Sequence, residues 1–241
     1  MLPIGTISTP FKQKFGIPRQ SQLVKEAQGV ITFLSPYDHP DYFRDIENYD
    51  HLWLIFHFNQ LDDRETSPLV RPPRLGGNIK VGVFASRSPY RPNHLGLSLV
   101  KLVRVEKDNN SIKLIVDGVD LQDQTPIYDI KPYLPDVESV PHAKDSWRNQ
   151  SQHELSLPVI FSEQASLCLN NRAKGEKEKK LIEAVLLQDP RPGHRRHNTI
   201  SDQQTYGMKL FSYDVRWQVR NETIWVEQIV EDRLDETAEN E

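Results

Sequence analysis

His51-Leu52-Trp53-Leu54-Ile55-Phe56-His57-Phe58 is an almost continuously apolar run, too short for a typical globular helix. Such a run predicts a strand buried on both faces, its two histidines being core or rim residues. Similar short runs flank it at residues 4–9, 29–34, 79–85, 97–106, 112–119 and 127–133. Asp108-Asn109-Asn110 tolerates left-handed backbone and reads as a hairpin turn between two of these runs. One helix is expected over residues 40–48, with Pro40 at its first position, Asp38 or His39 as cap, and Phe43 and Ile46 on one face. Many strands with one helix indicate an antiparallel barrel or sandwich rather than alternating βα units.

Beyond this region the pattern changes. Residues 136–157 are polar, contain Pro141 and lack periodicity, which marks a linker between a β-barrel domain (1–135) and a smaller α+β domain (158–241). In the latter, residues 176–188 form a helix with Leu181, Ile182, Val185 and Leu186 on its apolar face. Tyr213, Val215, Trp217 and Val219 alternate with polar residues as a half-buried strand, and residues 224–230 return as its hairpin partner. The fold class is therefore mainly β.

The 241 residues include 37% hydrophobic and 27% charged, as expected of a soluble globular protein. Cys168 is the single cysteine, which excludes an internal disulfide framework and a multi-cysteine zinc site. No apolar run approaches the ~18–20 residues that span a bilayer. The N-terminus has no secretory pattern, so a cytoplasmic location is expected. Charge is more informative. Residues 71–104 hold seven basic and no acidic side chains, whereas the whole chain carries −4 and the remainder therefore −11. A local anion site on an acidic protein explains this asymmetry, and chance clustering on a solvated face is the alternative.

The chemistry is narrowed first by absences. Neither a G-x-G-x-x-G turn nor a P-loop occurs, and there is no G-x-S-x-G elbow and no H-E-x-x-H. His194 and His197 would need a third ligand among neighbouring arginines that oppose a cation, so no metal is expected. The densest segment is Ala85-Ser86-Arg87-Ser88-Pro89-Tyr90-Arg91-Pro92-Asn93-His94-Leu95-Gly96. Pro89 and Pro92 restrict this loop, so Arg87 and Arg91 are preorganised for phosphate or carboxylate. A tight barrel connection with arginines bridging carbonyls is the alternative. Arg71-Pro72-Pro73-Arg74-Leu75-Gly76-Gly77 reads equally as a lid or as an exposed loop. Asp129 and Lys131 share a strand face, for which an ion pair is favoured over a functional pair. These features alone point to an all-β protein with an anion site and identify no reaction.

Residues 85–96 resemble the R-S-x-x-R-P-N-P-[IL]-G signature of the TsaA-like family, whose bacterial representatives are the TrmO-type tRNA methyltransferases. Lys14-Phe15-Gly16-Ile17-Pro18-Arg19-Gln20, residues 71–77 and 129–135, then residues 189–192 and 213–217, are similar to that family in the same order. His94 departs from it where proline is common, and Gln124 where D-G-T-P would place glycine. The resemblance implies a small antiparallel β-barrel that binds S-adenosylmethionine, forms a homodimer, and methylates N6 of threonylcarbamoyladenosine beside the anticodon of tRNA. It implies donor contacts at Lys14, Phe15, Gly16, His57, Phe58, Arg87, Leu97, Gln122, Asp123, Gln124 and Thr125. For tRNA it implies Lys131, Tyr133, Asp189, Arg191 and Arg195, and the acid-free window adds Arg74 and Arg91. No catalytic base is singled out. The competing reading is a non-catalytic β-barrel that binds RNA or a nucleotide.

Overall fold

The computed structural model describes residues 1–61, 66–72, 75, 79–108, 111–144, 157–192, 195 and 201–231. The chain divides into two compact units, residues 1–9 with 19–152, and residues 10–18 with 153–241. The first unit contains β1 (Gly5–Ser8), β2 (Gln28–Phe33), β3 (His51–His57), β4 (Leu69–Val70), β5 (Val81–Gly82), β6 (Leu95–Asp108), β7 (Ser111–Asp117) and β8 (Thr125–Pro132). Six of these close into a barrel in the order β1-β2-β7-β6-β3-β8. Every neighbouring pair in that barrel is antiparallel.

The interior is filled by alternate residues, as the pleat requires. Ile7, Ile31, Leu52, Leu54, Val100, Leu114, Val116 and Ile127 are fully buried there. A barrel has one inside, so β3 is not buried on both faces as its apolar run suggests. Leu52, Leu54 and Phe56 point inward, while Trp53, Ile55 and His57 lie half-buried on the outer surface. Trp53 Nε1–H is taken up by the Glu138 carboxylate at 3.0 and 3.1 Å. Glu138 ends the short helix α1 (Pro135–Glu138), so the beginning of the expected linker is fastened to the barrel.

Two further expectations are corrected. The helix over residues 40–48 is instead a pair of 3-10 turns, Pro40–Phe43 and Ile46–Asn48. Asp45 between them has φ +66°, a left-handed backbone that no right-handed helix can pass through. His39 caps the first turn by accepting the Asp41 N–H at 3.3 Å. The strand expected over residues 79–85 is reduced to β5, because Val83–Ala85 winds into a 3-10 turn that buries Val83 and exposes Phe84. The Asp108–Ser111 pair closes the β6–β7 hairpin, and its two turn residues lie outside the described ones.

The second unit is a four-stranded sheet with two helices. β9 (Val159–Phe161) runs parallel to β12 (Thr223–Glu231), which continues antiparallel through β11 (Tyr213–Arg220) to β10 (Ser201–Leu210). α2 (Glu163–Asn170) is capped by the Ser162 hydroxyl accepting the Ala165 N–H at 3.0 Å. α3 (Gly175–Leu187) buries Leu181, Ile182, Val185 and Leu186, the face expected from its periodicity. Residues 10–18 join this unit through the Phe11–Leu210 bridge and through Pro10 O, which accepts the Phe211 N–H at 2.7 Å. No helix among the described residues is long and apolar enough to cross a membrane.

Gly96, the last residue of the densest segment, explains itself in this packing. A Cβ built there would overlap the Phe56 ring at Cζ and Cε2, inside the barrel wall where β3 pairs with β6. Overpacking of this kind costs about 1–3 kcal/mol. Gly96→Ala should therefore lower the unfolding free energy by that amount in chemical denaturation. An unchanged midpoint would mean that the Phe56 ring moves aside freely.

Candidate functional site

One rim of the barrel is built from the end of β3, the beginnings of β6 and β8, and the end of β1, as the pairs His57–Leu95, Phe56–Ile127 and Ile7–Thr125 require. His57, Phe58, Arg87, Leu97 and the Gln122–Thr125 turn belong to this rim and its adjoining loop. An aromatic cleft lined by Phe33, Tyr37, Tyr42, Phe43 and Leu52 lies at the opposite end of the barrel, where Leu52 pairs with Pro132.

The loop carrying Arg87 is stiffened by more than its prolines. Ser86 donates its hydroxyl to Val83 O at 2.8 Å and accepts the Ser88 N–H at 3.2 Å. The Ser88 hydroxyl in turn accepts the Tyr90 N–H at 3.3 Å. Serines two residues apart that bond the following backbone are a turn-forming pattern visible in the sequence. The Arg87 side chain is exposed and donates from Nη1 to Gln20 Oε1 at 2.5 Å.

Behind this loop His94 is 2% exposed and has φ +49°, a conformation that proline at that position cannot adopt. Its backbone is tied at both ends, the N–H to Arg91 O at 3.1 Å and the carbonyl to Phe58 N–H at 2.9 Å. Both imidazole nitrogens are buried without a hydrogen-bond partner. The ring stacks on His57 with centroids 5.9 Å apart, and His57 also meets Tyr128 edge-on at 6.0 Å.

The 121–125 turn is stitched to the end of β1. Asp123 Oδ1 accepts the Thr9 N–H at 2.8 Å and the Ser8 hydroxyl at 3.2 Å. The Gln124 N–H donates to Ile7 O at 2.9 Å. Gln124 has φ +61°, so it takes the left-handed backbone that glycine would occupy at less cost.

Asp120 was not reached by sequence reasoning, since an isolated Asp between apolar residues carries no pattern. Burial pushes its carboxyl up to about 6, against the opposing effects of hydrogen bonds from Ser98, Ser21 and its own backbone and the charge of Arg87. The Ser98 hydroxyl donates to its Oδ1 at 2.5 Å.

The remaining expected residues are placed as follows. Lys14, Phe15 and Gly16 lie in the segment that packs with the second unit, where Gly16 has φ +94°. Arg91 is half-buried, and Arg74, His194 and His197 fall outside the described residues. Among the described residues no group of three or more His, Cys, Asp or Glu is placed to hold a metal ion. Lys131 is exposed and forms no ion pair with Asp129, whose Oδ1 accepts the neighbouring Ile130 N–H at 2.9 Å. The favoured Asp129–Lys131 ion pair is therefore corrected. Tyr133 is half-buried and packs edge-on against His51 and Trp53.

Asp189 and Arg191, expected at tRNA, are both buried. Arg191 is fully buried, its Nε and Nη2 held by Asp189 at 2.7 and 3.0 Å, with Nη1 3.7 Å from Asp202. A guanidinium enclosed by two carboxylates in the protein interior presents nothing to a phosphate. Arg195 lies at the edge of the same cluster, 47% exposed and 3.6 Å from Asp202. Tyr206 donates to Asp202, and its phenol is pushed up to about 12 by burial and by that carboxylate.

Comparison with known proteins covers both units. Residues 6–139 match the tRNA-methyltransferase O N-terminal domain, and residues 154–232 match the TrmO C-terminal domain. The chain is 43% identical over 217 residues to the tRNA (adenine(37)-N6)-methyltransferase of Escherichia coli K12, across 90% of this chain and 91% of that one. It is 35% identical over 153 residues to a protein of Pyrococcus abyssi named a probable S-adenosyl-L-methionine-binding protein, across 64% of this chain and 78% of that one. A crystal structure of TrmO from Pseudomonas aeruginosa superposes with TM-score 0.74 at 32% identity, covering 95% of this chain and 96% of that one.

The half-buried Asp120 has a measurable signature. Its carboxyl titrates near 6 in the folded protein and near 3.8 when unfolded, so it favours folding only while protonated. Its contribution is complete below about pH 4, is lost as pH rises to about 6, and is constant above; the change amounts to about 3 kcal/mol. The unfolding free energy of Asp120→Asn relative to wild type should accordingly rise by about that much between pH 4 and pH 7. A difference independent of pH would place the carboxyl in water.

Proposed function

The chain belongs to the tRNA-methyltransferase O family, and from that membership we propose that it transfers a methyl group from S-adenosylmethionine to N6 of adenine 37 in tRNA. The observation that carries this reading is the barrel rim, where an exposed arginine is fixed by Gln20 beside a buried imidazole and a half-buried phenylalanine. These groups fit the donor. Arg87 keeps guanidinium N–H groups for its carboxylate, Phe58 and the 53%-exposed Leu97 offer apolar surface to its adenine, and the unpaired His94 nitrogens suit a polar ligand atom. The donor supplies an electrophilic methyl group on a sulfonium. His57, Gln122, Asp123, Gln124 and Thr125 border the same rim; Lys14, Phe15 and Gly16 belong to the second unit and enter as donor contacts from the family resemblance alone. Methyl transfer depends mainly on alignment, so a rim held by backbone and serine hydrogen bonds is the relevant machinery.

The acceptor in this reading is the threonylcarbamoyl-modified adenosine, reached through the anticodon loop. In this reading Arg91, Lys131 and Arg195 are its phosphate contacts, with Arg74 from the acid-free window, and Tyr133 is a stacking contact. The protein acts as a cytoplasmic homodimer. Phe84 is 79% exposed and Ile79 56%, close in sequence to the exposed Leu69–Gly82 pairing, and this apolar surface supports a partner. Sedimentation should give a dimer at micromolar concentration, and a fully active monomer would overturn that part.

The activity is tested by incubating unmethylated tRNA with the protein and S-adenosylmethionine, then measuring nucleosides by mass spectrometry. A methylated threonylcarbamoyladenosine is expected. Arg87→Ala should weaken donor binding by about 1.5–3 kcal/mol in calorimetry. Arg91→Gln with Lys131→Gln should leave donor binding intact and flatten the salt dependence of tRNA affinity by about one to two units of slope. Binding of tRNA without any binding of S-adenosylmethionine would favour the non-catalytic module.

A further inference from the structure

The aromatic cleft at the far end of the barrel has no part in the donor or tRNA readings. Its volume is about 480 Å³, within the range of small-molecule sites. Phe33 and Phe43 are buried beneath it and meet edge-on at 4.6 Å. Tyr37, Tyr42 and Tyr49 complete the aromatic lining, the first two with ring centroids 6.2 Å apart. The local chain explains this arrangement. Burial of Phe43 anchors the turn Pro40–Phe43, and the left-handed backbone of Asp45 separates it from the next one. Tyr42, Arg44 and Tyr49 are thereby left exposed in the cleft wall. Arg44 donates from Nη2 to Asp41 at 2.6 Å, which leaves its Nε and Nη1 N–H groups uncommitted. Asp129, also in the wall, accepts the Ile130 N–H on Oδ1. Among the described residues nothing bonds its Oδ2 or the hydroxyls of Tyr37, Tyr42 and Tyr49.

Charge narrows what such a cleft can hold. An aromatic cage alone would suit an organic cation, but the Arg44 guanidinium in the wall opposes one. From residue 38 to residue 50 there are five carboxylates and one arginine, which oppose a phosphate-bearing ligand. An uncharged flat ring with both donors and acceptors on its edge meets both constraints. We propose that this cleft is a second binding site, and that it takes a free purine nucleoside. The base stacks on the tyrosines, its N–H groups donate to Asp129 Oδ2, and a ring acceptor takes an N–H of Arg44. A purine offers two fused rings to the lining, and the volume leaves room for its ribose. The site lies apart from the barrel rim assigned to the methyl donor and does not rest on that assignment.

The test titrates the full chain with guanosine by calorimetry, with and without saturating S-adenosylmethionine. Guanosine is the probe because it lacks the adenosyl group of the methyl donor. It should bind with the same affinity in both conditions, and uridine, with one ring to stack, should bind more weakly. Tyr42→Ala should weaken guanosine binding about tenfold, as the loss of one stacking partner does. Asp129→Ala should weaken it by a similar factor, about that of a charge-assisted hydrogen bond. Both side chains are exposed, so neither variant endangers folding. Tyr42→Ala should leave the affinities for S-adenosylmethionine and tRNA unchanged. No binding of guanosine, binding that either variant leaves intact, or displacement of guanosine by the methyl donor would overturn the inference. Tighter binding of tetramethylammonium or of guanosine 5′-monophosphate than of guanosine would show that the cleft reads charge, with the same consequence. Loss of tRNA affinity in Tyr42→Ala would give the cleft to a base of the RNA and overturn the free ligand.

Discussion

Closure of the barrel rests on four residues. β1 pairs with β2 on one side and β8 on the other, so Gly5–Ser8 joins strands from opposite ends of the first unit. Ile7, at the middle of that strand, is fully buried. Gly5 is required for the approach, because a Cβ there would overlap the Thr32 carbonyl oxygen. Without this strand β2 and β8 would be open edges exposing unpaired backbone groups. Closure also sets the candidate site. The end of β1 supplies the Ser8, Thr9 and Ile7 groups to which the 121–125 turn is bonded.

In the first unit, three of the four described non-glycine residues with left-handed backbone lie at that rim, the exception being Asp45. Gln22, His94 and Gln124 all adopt left-handed backbone without being glycine. His94 buries two unpaired nitrogens, and Asp120 holds a carboxyl largely out of water. Each costs stability, and each is held in place by hydrogen bonds from other segments. Elsewhere in the barrel the alternation of buried and exposed residues follows the pleat. Concentrated local cost on a regular scaffold is the expected physical form of a binding site. The second unit shows a different use of buried charge. Its Asp189–Arg191–Asp202 cluster pairs every charge with a neighbour, which makes it a structural element.

Legibility in the sequence followed the physics of each element. Strands with clean alternation, such as Tyr213–Arg220, and the helix face of Leu181, Ile182, Val185 and Leu186 could be read because period and burial agree. β10 was missed because its first residues, Ser201-Asp202-Gln203-Gln204-Thr205, are polar and its pairing with β11 carries an irregularity after Asp202. The apolar run of β3 overstated its burial, because composition does not say which half of a strand faces a barrel's outer surface. Arg191 looked like a phosphate ligand because charge counting is blind to burial.

The sequence by itself determined the all-β character, the separate helical segment near the C-terminus, the acid-free basic window and the proline-stiffened loop with Arg87. These are local properties, set by periodicity, composition and the restricted dihedrals of single residues. Only the tertiary structure decided which groups share the rim. The Gln20–Arg87 contact spans 67 positions, and the Thr9–Asp123 contact spans 114. Contacts at such separations are fixed by strand register and barrel closure, which no local pattern encodes. The same holds for Asp120, whose bond to Ser98 spans 22 positions.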